Sequence, residues 1–426
     1  MKTQLHQLKN GLKIILIDTQ AFPSATTLLL VGAGSRYENK TNNGIAHFFE
    51  HMAFKGSKKY PSALKISTII DNLGGVFNAF TSKDYTGYFI KAPTQHFDAA
   101  LDVIADMIQN PLLKTEEINK EKGVIAEEIN MYEDDPGRII VDHYEELLYD
   151  GHPLGMEITG TKQTVNKFTK KTFIDYINSL YHPNNAILIV AGGLNHKTNL
   201  QPEKYYLDLI TKKFSRWQKN RTGGFKKIKE NQKQKAIFVK TKKTDQIHFC
   251  FGYRTFSYFD RRRYALTLLS AVLGKGMSSR LFTEVREKRG LCYYIYTYNS
   301  GYADCGSMVT HAGVRANVND LNKALSLIKV EHEKIADGKI TEKELKKAKE
   351  LIKGNFVLSL EDTFDVAAFY GKNLLLENRL EQPAEIMKKL DKVTVEQVVA
   401  VAKQVIKDSN LNIALIGNIK KEDIKI

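Results

Sequence analysis

Apolar and polar residues alternate along two short runs near the start of the chain, Gln4 to Leu8 and Leu12 to Ile17, with Asn10-Gly11 between them. Successive side chains of a strand point to opposite faces, and Asn-Gly suits a tight two-residue turn, so this pattern predicts a hairpin. A further strand is predicted from Thr26 to Val31, leading into a Gly-rich loop at Gly32 to Ser35. The period then changes. Asn42 or Asn43 is placed to cap a helix that Gly56 would end, and Ala63 to Leu73 repeats its apolar residues at three and four before Gly74-Gly75. Val76 to Ile90 alternates again, as two strands around Ser82-Lys83-Asp84. Two helices follow, Phe97 to Gln109 and Thr115 to about Glu133. Antiparallel strands mixed with packed helices predict an α+β fold.

The second half repeats this layout weakly. Phe97-Asp-Ala-Ala-Leu101 is answered by Leu321-Asn-Lys-Ala-Leu325, and the stretch opening at Thr115-Glu-Glu-Ile by one opening at Thr341-Glu-Lys-Glu-Leu345. The offset is 224 to 226 residues in a chain of 426, too long for a solenoid period. It predicts two homologous domains, each a mostly antiparallel sheet packed with helices. The expected boundaries are 1–217 and 235–426, with a linker over 218–234 where Gly223-Gly224 sits among lysines.

With 42% apolar residues, each half can bury a core without disulfide staples, and a largely disordered chain is excluded. Cys250, Cys292 and Cys305 are odd in number and lack a C-x-x-C spacing, which predicts reduced, buried fillers and a cytoplasmic setting. No apolar run approaches the roughly 18–20 residues of a membrane span. The first apolar run is only Ile14 to Ile17, so no secretory signal is expected. The net charge of +15 raises the question of a polyanion partner. The lysines are scattered, apart from a dense stretch from Lys226 to Lys243 that carries few aromatics and reads as solvated linker and strand ends. Neither nucleic acid nor membrane is expected as a partner.

The strongest chemical signal is His47-Phe48-Phe49-Glu50-His51. On a helix, residues four apart stand one turn above each other, so two imidazoles can grip one metal ion, and Glu50 projects to the same side. This order is the inverted form of a zinc-peptidase motif. Catalytic zinc takes three protein ligands plus a water, and a neighbouring carboxylate can shuttle that water's proton. Two histidines are one ligand short. The helix beginning at Thr115 offers Glu121, Glu127 and Glu128; Glu121 and Glu128 are seven apart and share a face, whereas Glu127 points about 100° away.

These residues resemble the pitrilysin and insulinase family of zinc peptidases, in its subgroup of short chains similar to the mitochondrial processing peptidase. The stretch Gly44-Ile-Ala-His-Phe-Phe-Glu-His-Met-Ala-Phe-Lys-Gly56 matches the family's zinc helix almost throughout. The resemblance implies one Zn2+ per chain on His47, His51 and Glu128, with Glu50 as general base and Glu121 as a supporting carboxylate. It implies a substrate-binding strand at Asn78, Ala79, Phe80 and Thr81, and it places the family's arginine–tyrosine pair on Arg286 and Tyr293. Gly354 and Asn355, near the second-half counterpart of Glu128, offer no ligand, which implies a metal-free second domain. The fold implied is half of a hollow clamshell, completed by a second copy or a homologous partner chain, acting as an endopeptidase on short or unfolded peptides.

The competing readings are a non-catalytic subunit of the same fold and a basic polyanion-binding protein. The first is disfavoured because every metal residue is kept. Gly274-Lys-Gly276 lacks the spacing of either nucleotide fingerprint, and the family resemblance implies a turn before a helix there. His152 and His182 precede prolines and read as loop histidines with structural roles.

Overall fold

A computed structural model describes residues 1–194 and 202–426. By contacts the chain divides into two compact units. The first comprises Met1–Ile129, Met156–Lys226 and Leu358–Glu381; the second comprises Asn130–Gly155, Lys227–Val357 and Gln382–Ile426. Two segments therefore pack with the opposite half of the sequence, an exchange that no single boundary such as a linker over 218–234 describes.

The first unit is built on strands β1 (Lys2–Gln7), β2 (Lys13–Asp18), β3 (Ser24–Val31), β4 (Val76–Thr81), β5 (Thr86–Pro93) and β6 (Ala186–Gly192), in the order β1-β2-β6-β3-β5-β4. The expected hairpin is β1 with β2, and only β2 with β6 is parallel. Helices α1 (Ile45–Ala53), α2 (Ala63–Asn72), α3 (Phe97–Gln109) and α4 (Thr115–Asp134) follow the predicted spans closely. The period of two sorts each central strand between two cores. Ile14, Leu16, Leu29, Leu188 and Val190 meet α1 and α3, while Ile15, Ile17, Leu28, Leu30, Ile187 and Ile189 meet the helix Thr363–Glu377 through Val366, Ala367, Tyr370 and Leu374. Gly371 permits that approach: a Cβ there would lie 2.7 Å from Leu30 Cδ1 and 2.8 Å from Ile189 Cδ1.

The second unit carries β7 (Ala236–Thr241), β8 (Gln246–Thr255), β9 (Cys292–Gly301), β10 (Gly306–Arg315) and β11 (Leu411–Gly417), ordered β7-β11-β8-β10-β9. This is the first sheet's order without its β1, and again one pair, β7 with β11, is parallel. The second sheet receives α5 (Pro136–Leu148) from the first half of the sequence; Ile139, Ile140, Tyr144 and Leu148 pack on Cys250, Val309, Ala414 and Ile416. All three cysteines are free and buried. The turn at Gly274 to Gly276 follows the helix Arg263–Gly274 and precedes the short helical segment Phe282–Glu287. No helix among the described residues is long and apolar enough to cross a membrane.

Candidate metal centre

Helix α1 is anchored by aromatic side chains on the side away from its polar stripe. Phe48 packs on Phe173 with ring centroids 5.0 Å apart, Phe49 on Tyr181 at 4.8 Å, and both phenylalanines are fully buried. Each such burial stabilises by about 1.5–3 kcal/mol. What remains on the opposite stripe is His47, Glu50 and His51.

Helix α4 buries Ile118, Glu121, Ile125 and Ile129, a run at three- and four-residue spacing that places Glu121 and Glu128 toward α1. Glu127 is exposed. Among the described residues, donor atoms of His47, His51 and Glu128 all lie within 4.8 Å of one another. His47 Nε2 is 3.5 Å from Glu128 Oε1, and His51 Nε2 is 3.6 Å from Glu128 Oε2. These separations exceed the usual N–H···O distance of about 2.9–3.0 Å. They suit a tetrahedral ion instead: bonds of about 2.0–2.1 Å put neighbouring donors roughly 3.3 Å apart. Two imidazoles and a carboxylate are also the donor types zinc takes.

The groups behind the donors are placed as supports. Glu121, 4% exposed, binds His51 Nδ1 through Oε1 at 2.9 Å and Lys55 Nζ through Oε2 at 2.6 Å. Burial alone would raise the Glu121 carboxyl, but the His51 hydrogen bond and Lys55 outweigh it and hold the pKa below its ordinary value. Burial likewise opposes protonation of His51, and there the hydrogen bond to Glu121 with the charges of Glu121, Glu128 and Glu50 prevails and raises the pKa. An Nδ1–H donated to Glu121 leaves Nε2 as the donor that faces Glu128. Such a supporting partner typically contributes about 10–100-fold in metal affinity or activity. Glu121→Gln is therefore expected to weaken metal binding within that range while leaving the cluster assembled, as read by competitive zinc titration.

Glu50 is turned toward β4, where Thr81 Oγ1 donates to its Oε2 at 2.5 Å. The family resemblance implies a substrate strand that includes Thr81 but gives no sign of this contact, which crosses 31 residues. Asn78 is exposed, with its Oδ1 accepting from the Ala79 N–H, and Ala79 is buried. Phe80 packs edge-on to Phe364, at 5.9 Å between centroids, and so belongs to the core between sheet and helix. The four share β4, an edge strand that among the described residues pairs only with β5. Arg286 and Tyr293 lie in the second unit, the guanidinium carbon 5.3 Å from the Tyr293 ring centroid; Tyr293 is 75% exposed on edge strand β9. His152 and His182 serve their own loops: His152 Nδ1 accepts from the Leu154 N–H, and His182 Nε2 is 2.8 Å from the Asn178 carbonyl.

The second sheet repeats the contact of strand with helix without the chemistry. Thr297 of β9 shares a hydrogen bond of 2.8 Å with Thr310, and a Cβ on Gly274, at the end of the facing helix, would lie 2.3 Å from Thr297 Oγ1.

Comparison with known proteins accords with this arrangement. The model of the insulinase family, peptidase family M16, matches residues 13–162, and the model of the M16 inactive domain matches residues 167–352. The chain belongs to peptidase family M16. The M16 chain is 36% identical to the "Uncharacterized zinc protease YmxG" of Bacillus subtilis (strain 168), over 93% of this chain and 94% of that protein. It is 33% identical to the "Uncharacterized zinc protease SCO5738" of Streptomyces coelicolor, over 97% and 89% respectively. Among solved structures, a protease from Helicobacter pylori superposes with a TM-score of 0.90 at 27% identity, covering 98% of this chain and 99% of that one. The M16 inactive-domain structure from Pseudomonas fluorescens, at 19% identity and a TM-score of 0.88, shares the fold.

Proposed function

We propose that this M16 chain is a zinc-dependent endopeptidase acting on short or unfolded peptides inside a chamber closed by a second chain. The observation that carries this reading is the cluster of His47, His51 and Glu128 with Glu50 held beside it. Those three side chains would hold one zinc ion, which when bound polarises a carbonyl and lowers the pKa of a water to about 7. Glu50 stands among the helix residues facing the cluster but outside the donor trio. With Oε2 occupied by Thr81, its Oε1 takes the attacking water's proton and returns it to the leaving amine. The β4 edge leaves one row of backbone N–H and C=O groups outside the sheet, and an extended peptide lying along Asn78 to Thr81 would satisfy them as an added strand. That mode reads backbone first, which suits unfolded substrates and excludes folded ones.

Tyr293 would donate to the developing oxyanion and Arg286 would anchor a backbone carbonyl. In this proposal both come from a facing copy in a two-fold homodimer, or from a homologous partner chain. A mixing experiment tests this directly. Glu50→Gln and Tyr293→Phe chains are each expected to be nearly inactive on a fluorogenic peptide. In a mixed dimer with shared sites, one site carries both lesions and the other neither, so mixing should restore part of the activity. Restoration should follow subunit exchange measured by native mass and vanish on dilution to monomers. Exchange without restoration would show that the donor pair acts within one chain or that the partner is a different protein.

A further inference from the structure

We infer that Glu38 is a positioning residue for the reaction proposed above: its buried carboxylate sets the seat of helix α1 along its axis, and with it the seats of His47 and Glu50. The inference rests on the peptidase reading for its kinetic consequence, and on geometry alone for its structural one.

Helix α1 has nine residues and lacks a cap of its own. Its N-cap is Gly44, with no side-chain cap hydrogen bond. The first turn of any helix leaves backbone N–H groups without partners. Here Glu38, six and eight residues upstream of the groups it meets, takes them. Its Oε2 accepts from the Gly44 N–H at 2.8 Å and from Asn43 Nδ2 at 2.9 Å, and its Oε1 accepts from the Ala46 N–H at 2.8 Å. Ala46 immediately precedes His47. The expected caps, Asn42 and Asn43, do not serve α1; Asn43 donates instead, to Glu38 and to the Glu157 carbonyl.

Both ends of this link are fixed. On the helix side, Gly44 has φ +96°, and a Cβ there would lie 2.7 Å from the Thr159 carbonyl oxygen and 2.9 Å from Gly160 Cα, so the helix start is wedged against that loop. On the Glu38 side, the Glu38 N–H donates to Ser35, the Ser35 N–H to Ser82, and the Arg36 N–H to Lys83. The Arg36 guanidinium, fully buried, pairs with Asp84 at 2.9 Å. Ser82 to Asp84 is the turn that directly follows Thr81. The zinc-motif helix and strand β4 are thus referenced to each other twice, by Thr81 on Glu50 and through the Ser35–Glu38 loop on Ala46.

An ordinary cap needs only a small polar side chain at the N-cap, partly in water. Glu38 is a carboxylate 3% exposed, and its burial pushes the carboxyl up to about 7 in spite of the N–H groups of Ala46 and Gly44, the Asn43 amide and the nearby Lys83. A residue kept at that cost in solvation, in the loop ahead of a helix that carries the metal-facing histidines, is better understood as a spacer of defined length than as a cap.

The test uses full-length Glu38→Gln and Glu38→Asp chains, with Co2+ as the probe for the metal donors. Gln keeps the length and loses one acceptor; Asp keeps the charge and loses the reach. A misplacement of about 1 Å near the chemistry can cost on the order of 10²-fold. We expect kcat per Co2+-loaded site to fall by about 10–100-fold in Glu38→Asp with KM within twofold, and by a smaller factor in Glu38→Gln, which keeps the length. The visible absorption of bound Co2+ should shift in both. The spectral arm holds even if no peptide is cleaved by the parent chain, which separates failure of this inference from failure of the peptidase reading. Unchanged Co2+ spectra and unchanged kcat per loaded site in the folded variants would overturn it. So would a Glu38→Gln chain that fails to fold beside a Glu38→Asp chain that is normal in both readouts, since that outcome describes a structural cap alone.

Discussion

Glu50→Gln chains should bind zinc like the parent and cleave peptides at least about 100-fold more slowly. The expectation follows from where Glu50 stands. It shares the α1 stripe with His47 and His51, yet the donor trio is completed by Glu128 from another helix. Gln is isosteric and can still accept from Thr81, so the local packing, including the Phe48 and Phe49 contacts on the far side of α1, has no reason to change. What Gln cannot do is take a proton. Loss of a general base typically costs about 10²–10⁴ in rate, and here the same carboxylate would also return the proton to the leaving group. The measurement pairs metal content by mass spectrometry with turnover of a fluorogenic peptide on the same sample. Near-normal turnover would remove the base role. Loss of metal together with turnover would move Glu50 among the donors.

The parts of this site legible in the sequence are those set by short-range periodicity. Two histidines four apart on a helix share a face whatever surrounds the helix, and Glu121 and Glu128 share one for the same reason. Periodicity alone left Glu127 in contention. The matching motif favoured Glu128, and the buried run Ile118, Glu121, Ile125 and Ile129 supplies the physical reason, since it turns that face inward and leaves Glu127 exposed. Long-range contacts were not legible. Nothing local to Glu38 links it to Ala46, or Thr81 to Glu50, or Lys55 to Glu121, because each pair depends on how separate elements dock. The capping expectation failed for a related reason: Asn43 has the chemistry of a cap, but the Glu38 carboxylate folds back from the preceding loop, six residues before the N-cap, and takes the N–H groups instead.

The fold follows the same division. The strands and helices between Gln4 and about Glu133 are readable, and the strand orders of the two sheets agree with a duplicated unit. The exchange of α5 and the helix Thr363–Glu377 was not readable. An amphipathic helix announces that one face must be buried, but not against which sheet. Ile139, Ile140 and Tyr144 would satisfy any apolar surface of the right shape. The selection is made by small residues at the contact, on the sheet in one case and on the helix in the other. A Cβ on Gly252 would come within 2.5 Å of the Tyr144 hydroxyl, just as Gly371 lets the other exchanged helix close on Leu30 and Ile189. Strands β6 and β11, buried at every position, are covered on both faces; β6 is a continuous apolar run and β11 is interrupted by the buried Asn412, so neither carries a period of two to announce it as a strand.

Glu128→Gln should weaken zinc binding by more than about 100-fold, whereas Glu127→Gln should leave it unchanged. A residue that only supports a ligand contributes about 10–100-fold. In the proposed site Glu128 is itself a donor, with one carboxylate oxygen 3.5 Å from His47 Nε2 and the other 3.6 Å from His51 Nε2, so its loss should exceed the top of that range. Gln preserves shape but removes the negative charge that offsets the cation between two neutral imidazoles. Glu127 has the same chemistry one position away, about 100° around the helix and exposed, which makes it a control for any general effect of removing a charge from α4. The difference can be read without any activity, through linkage. A ligand at 100 times its dissociation constant stabilises the folded state by about 2.7 kcal/mol. A 100-fold loss of affinity at the same free zinc leaves about 0.4 kcal/mol. Zinc should therefore raise the melting temperature of the parent and of Glu127→Gln by several degrees and barely move Glu128→Gln, with Glu121→Gln in between. If Glu127→Gln loses the zinc-dependent rise and Glu128→Gln keeps it, the third donor is Glu127 and α4 sits turned by about 100° from the orientation described.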